Sequence, residues 1–216
     1  MNGNSSGMSR SETKGEQTRR AIVTQALDMV SEVGFEGLSI GTLAEKSSLS
    51  KSGLFAHFKS KEALQLEVLQ EVISRFTLRV VQPALAGPRG EVRLRTLFER
   101  ELEWMRGNGE LRGCLLQKAS REYDNRPGHP VRERVVQALR DWRELLARAA
   151  RAAVDEGEFR ADLDPEQFAY EFDGITMMYQ QSLCLLRDRA AGERARTAFE
   201  ALLQRSRRAP RLPQET

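Results

Sequence analysis

Lys46, Lys51, Lys59 and Lys61 lie in a stretch of sixteen residues that contains no acid, bracketed by Glu45 and Glu62. Ser47, Ser48, Ser50, Ser52, Ser60 and His57 are interleaved with them. Ammonium groups, hydroxyls and helix N-termini are the donors that phosphate oxygens accept from, so this segment has the chemistry of a nucleic-acid backbone contact. It also has the composition of a solvated basic helix face, and charge by itself leaves both readings open. Other chemistries lack their residues. His57 and His129 are the only histidines, and Cys114 and Cys184 are the only cysteines. They make neither a zinc site nor a disulfide framework. There is no Glu-x-x-His pair and no glycine-rich phosphate loop. No catalytic residue, no metal and no cofactor is therefore expected.

The basic segment needs elements to position it. Ile22, Ala26, Leu27, Val30 and Val33 recur at helical spacing from about residue 15, and Gly34 ends that helix. Ser39 can cap a short second helix carrying Ile40, Leu43 and Ala44, and Ser47-Ser48-Leu49 reads as a turn. Ser50 can cap a third helix to about His57, and Ser60 a fourth. Two short helices about a tight turn, over residues 39–58, fit a helix-turn-helix. Leu43 and Ala44 would pack one helix on the other, Leu49 would plug the turn, and Leu54, Phe55 and Phe58 would tie the second helix inward. Ser50, Lys51 and Ser52 then stand at the end that a recognition helix pushes into a major groove.

The rest of the chain is also helical. Leu64, Val68, Val72, Phe76 and Val80 form a four-residue stripe, with Pro83 expected to end it. Further amphipathic runs follow, the longest from Val131 to Val154, then one from Pro165 and a last one to about Arg205. The fold class is all-α: an N-terminal three-helix domain with the helix-turn-helix, then a larger helical body, about nine helices in all. Expected boundaries are a leader at 1–14, a DNA-binding domain at 15–75, a body at 76–208 and a tail at 209–216. Of the 216 residues 40% are hydrophobic and 30% charged, which allows a buried core and argues against a disordered chain. A net charge of +3 is too small to point to nucleic acid; the acid-free stretch does so instead. No run approaches the roughly 18 apolar residues of a membrane span, and the first fifteen residues are polar, unlike a secretory signal. A cytoplasmic protein without membrane partners is expected. Arg205, Arg207, Arg208 and Arg211 make a polybasic end that would suit a rival reading, a basic adaptor for membranes or partner proteins. No helix, however, pairs a strongly basic face with an apolar one.

From Thr18 to Leu64 the sequence resembles the TetR family of transcriptional regulators. The resemblance is carried by Thr18-Arg19, Ile22, Ala26-Leu27, Gly34-Phe35, Leu43-Ala44, Leu49-Ser50-Lys51, Leu54-Phe55, His57-Phe58 and Ser60-Lys61-Glu62-Ala63-Leu64. It implies a ligand-responsive regulator, usually a repressor, that binds a palindromic double-stranded operator as a homodimer. By that resemblance Ser39, Thr42, Ser50, Lys51, Ser52, Phe55, His57 and Lys61 are candidate DNA-binding residues, with Lys61 as a phosphate contact. Two departures matter. Ser48 stands where the family usually has Gly, in a turn that often needs a positive φ. Phe55 stands where it usually has Tyr, so a phosphate-binding hydroxyl is lost.

The resemblance also implies that the last two helices pair with those of a second copy. Gly174, Met178, Gln181 and Leu185 share a face of the penultimate helix, opposite Phe168 and Phe172, and Ala198 and Leu202 lie on the last. These six are the candidate interface, with burial inside one subunit as the plainer alternative. An unknown small-molecule effector is expected in the body. Its candidate contacts are Phe76, Trp104, Cys114, Tyr123, Trp142, Phe172 and Met177, each of which could equally be core.

Overall fold

A computed structural model describes residues 13–107 and 114–209. Expectations for the leader before Thr13, for Asn108, Gly109 and Gly113, and for the tail from Pro210 with Arg211, lie outside these residues. Helices account for the fold, and among the described residues the only β-type pairing is one bridge between Phe159 and Arg207.

The N-terminal module comprises α1 (Lys14–Val33), α2 (Ile40–Ser47) and α3 (Lys51–His57). A capping box between Thr13 and Glu16 starts α1, and Gly34 at φ 81° ends it. The turn between α2 and α3 is a Schellman motif. Ser48 adopts φ 56°, ψ 26°, its N–H reaches Glu45 O at 3.4 Å, and Leu49 N–H reaches Ala44 O at 3.1 Å. Leu49 packs on the core as the motif's apolar contact. The expected plug and positive φ are both present.

The next helix is longer than expected. α4 (Lys61–Phe76) runs without a break through a π segment (Thr77–Val81) into α5 (Gln82–Ala86). Pro83 does not end the rod. It sits in the first turn of α5, where a missing N–H costs little, and the wider π turn before it relieves the ring's clash with the preceding turn. Gly87 ends it instead. The boundary expected at 75/76 thus falls inside a continuous rod.

The body adds α6 (Glu91–Arg106), α7 (Leu115–Glu122), α8 (Pro130–Asp155), α9 (Pro165–Cys184) and α10 (Ala191–Ser206). Counting α4 to α5 as one rod gives nine among the described residues. Pro130 and Pro165 open α8 and α9 behind the caps His129 and Asp164. The core of the body is aromatic. Phe98 of α6 stacks on Phe199 of α10 at 4.0 Å, and Phe172 of α9 meets both edge-on. Burial of these large rings helps to hold α6, α9 and α10 together.

Candidate nucleic-acid interface and ligand cavity

Serine caps fix the starts of the short helices. Ser39 Oγ accepts from Thr42 N–H at 3.4 Å, and Ser50 Oγ accepts from Gly53 N–H at 3.0 Å while lying 2.9 Å from Ser52 Oγ. A side-chain carbon at Gly41 would lie 3.4 Å from Lys51 Cε and 3.6 Å from Ser39 Oγ, so the starts of α2 and α3 meet there. Ser39, Thr42, Ser50, Lys51 and Ser52 are all exposed. Leu54 and Phe58 are buried as expected, but Phe55 is 49% exposed and does not tie α3 inward. One helical step of about 100° separates it from Leu54 and turns it outward.

Three cations here have structural partners, the first being Lys46, which lies 3.8 Å from the Glu32 carboxylate. Lys61 Nζ donates to Glu36 O at 2.7 Å, across to the loop between α1 and α2. Arg19 pairs with Glu67, donates to His57 O, and lies over the Phe58 ring at 4.6 Å. It joins α1, the end of α3 and α4, a positioning role that spacing did not reveal.

The same loop and the last turn of α1 before it are latched to the body. Glu36 N–H donates to Glu122 at 2.8 Å, Arg126 pairs with the Glu36 carboxylate at 2.8 Å, and Lys118 Nζ donates to Ser31 O at 3.0 Å. Although partial burial raises the Glu36 pKa, Tyr123, Arg126 and Lys61 together hold it below its ordinary value. Tyr123 is buried beside it. Burial first and the Glu36 carboxylate second push its hydroxyl above the ordinary range, so it stays a phenol.

A cavity of about 280 Å³ lies in the body. Phe76, Trp104, Cys114 and Trp142 line it, four of the seven residues expected there. Three do not. Tyr123 belongs to the latch, Phe172 is core between Phe98 and Phe199, and Met177 is 42% exposed on the outer face of α9. Aromatic or soft character marks burial, but not which side of a helix faces the space. Burial pushes the Cys114 thiol up to about 11, so it stays protonated. The cavity also contains residues that sequence reading missed. Glu101 and Asp173 line it, and both are buried. A buried acid inside an apolar helix stripe was the available signal.

On the far side, Gly174, Met178, Gln181, Leu185 and Ala198 are exposed. Leu202 is the exception among the candidate interface residues. At 2% exposure it is core, since it faces inward with Phe199 and Leu203.

Family models match almost all of these elements. The model described as bacterial regulatory proteins, tetR family, matches residues 22–68, and the tetracyclin repressor-like C-terminal domain matches residues 90–199. The chain belongs to the TetR family of transcriptional regulators. Members bind operator DNA, dimerise and bind small-molecule effectors. The regulator RutR of Escherichia coli (strain K12) is 40% identical over 55 residues, which are 26% of each chain, so the match spans about a quarter of that relative. The repressor DhaR of Mycobacterium sp. (strain GP1) is 26% identical over 154 residues, 70% of this chain and 74% of that one. A TetR regulator from Chloroflexus aurantiacus J-10-FL superposes with TM-score 0.79 at 24% identity, covering 91% of this chain and 99% of that one. AibR, solved with isovaleryl coenzyme A and operator DNA, gives TM-score 0.63 at 22% identity, covering 76% and 86%.

Proposed function

We propose that this chain is a homodimeric, ligand-responsive repressor that leaves a palindromic operator when a small, largely apolar effector fills the body's cavity. The observation that carries the reading is continuity between cavity and helix-turn-helix. Val72, Ile73 and Phe76 of α4 line the cavity, and Lys61 at the start of the same helix holds the loop before α2. Leu116 and Gln117 of α7 also line it, and Glu122 at the other end of α7 holds that loop too. An effector that fits one arrangement of these two helices better shifts the population towards it. Two recognition helices must lie about 34 Å apart to enter successive major grooves, so a small change of spacing releases the operator. No helix among the described residues is long and apolar enough to cross a membrane. A cytoplasmic setting belongs to the same reading.

The test begins with a duplex selected from random sequence by the full chain, which is expected to be palindromic. Binding should fall steeply with salt as counterions are released. Lys61→Ala should weaken binding to all duplexes alike and flatten the salt slope by about one. A salt-independent affinity would overturn the phosphate contacts, and a selected site without two-fold symmetry would overturn the dimeric mode.

A further inference from the structure

The cavity holds a carboxyl group that the latch and the core do not use. Glu101 in α6 is 4% exposed, and its Oε2 is buried without a hydrogen-bond partner. The groups facing it are short of positive charge. From α9 comes Asp173, whose carboxylate already takes Arg143 Nε of α8 at 2.9 Å, and from the start of α7 comes the neutral Cys114. α8 contributes Asp141 and Arg148, and the Arg148 guanidinium is 65% exposed and 3.5 Å from Glu144. α4 and the π segment bring only apolar side chains and the Thr77 hydroxyl. Burial first, and Asp173 second, push Glu101 well above the usual carboxylate range, against a hydrogen bond from Thr176. A buried acid without a counter-charge costs desolvation that an arriving cation offsets.

The remaining walls suit a cation too. Phe76 meets Trp104 at 5.8 Å and Trp142 at 5.0 Å, both edge to face. Ring faces attract cations, most strongly where water is excluded. Gln117 Oε1 is a second buried acceptor without a partner. Trp104 Nε1 and Trp142 Nε1, also without one, add two donors for an oxygen elsewhere on the ligand. A metal ion does not fit, because no group of three or more His, Cys, Asp or Glu among the described residues could hold one.

We propose that the cavity takes a lipophilic organic cation, a quaternary or protonated amine, with Glu101 as its counter-ion and Phe76, Trp104 and Trp142 around the charged head. The proposal rests on the reading of the cavity as the effector site and names the ligand's class. A neutral hydrocarbon would fill the space but leave the acid unpaired. An anion would meet Glu101, Asp141 and Asp173 together. As the ammonium enters, the Glu101 O–H bond breaks and its proton leaves to solvent, so the site stays neutral.

The test is calorimetric titration of the full chain with phenyltrimethylammonium and with tert-butylbenzene, its uncharged isostere. The cation should bind more tightly as pH rises, by up to about tenfold per unit while Glu101 titrates, with release of one proton seen as a dependence on buffer ionisation heat. Glu101→Gln should weaken the cation at least about tenfold, abolish its pH dependence and leave tert-butylbenzene unchanged. Proton release is read on the unaltered protein, so the test survives a poorly folded variant. Cation binding that is flat with pH and indifferent to Glu101→Gln overturns the proposal. So does tighter binding of tert-butylbenzene, or binding of neither compound. Anisotropy of the selected duplex separates the two readings. A cation that binds through Glu101 without changing duplex affinity supports the ligand class and removes the effector role. Release of the duplex by tert-butylbenzene but not by the cation keeps the effector role and overturns the class.

Discussion

Ser48 holds a left-handed conformation at φ 56° without being glycine. An L-residue there carries a steric cost of about 1–2 kcal/mol that glycine does not. Ser48→Gly is expected to stabilise the chain by about 1 kcal/mol, less what glycine's freedom in the unfolded chain takes back. Denaturant melts check this, and an unchanged or lower midpoint would show that the turn is unstrained. Glu101 makes a prediction of the opposite kind. Its folded pKa lies above the ordinary value of 4.5, so the folded state binds more protons than the unfolded one as pH rises past that value. Stability contributed at low pH is therefore lost on the way up. Glu101→Gln lacks this loss, and its stability relative to the native chain should grow from about pH 4.5 upward until the buried acid ionises. A difference constant with pH would show that Glu101 is not perturbed. The Ser48 turn was legible through the family resemblance, which puts a glycine at that position, and not through serine itself, which does not call for a left-handed conformation. Glu101 carries one local mark, its helical spacing from Leu94, Leu97, Phe98 and Met105, but spacing alone does not tell a buried acid from one at the edge of the stripe.

At the scale of elements, α7 is the piece that periodicity described least. It is only eight residues long, yet it has the cavity at one end and the Glu36 amide at the other. The bond from Glu36 N–H to Glu122 spans 86 positions in sequence, beyond any local pattern. Hydrogen bonds to charged groups contribute about 1.5–3 kcal/mol. Glu122→Ala should therefore speed hydrogen exchange at the Glu36 amide by about tenfold or more, with α1 protection kept. Unchanged exchange would mean the latch bears little load. Arg126 and Lys61 act on the Glu36 carboxylate, whose pKa is lowered, so their contribution is present above the ordinary carboxylate range and fades as acid protonates Glu36. The helices themselves were readable because caps and stripes are local. Pro83 misled because a single proline stops a regular α-helix but is compatible with one opened by a π turn.

At the scale of the molecule, the outer face of α9 and α10 presents exposed apolar residues close together. Met178 is 51% and Leu185 70% exposed, and at Gly174 a side-chain carbon would meet nothing within 4 Å. Such a face is costly in water and suits a two-fold partner. The native chain is expected to sediment as a dimer, and Met178→Arg as a helical monomer with at least about tenfold weaker affinity for a palindromic duplex. A native monomer at micromolar concentration would remove the homodimer. Leu202 shows the limit of spacing: Ala198 and Leu202 lie about one turn apart on α10, yet only Ala198 is exposed, and the packing decides which is inward. The π segment carries a consequence for the whole. Thr77 and Val81 lie in it and also touch the cavity. Sixteen residues of α4 stretch from there to Lys61, a rod about 24 Å long. A tilt of α4 by about 5° about this wide turn would swing the Lys61 end by about 2 Å, the size of step by which packed helices change state.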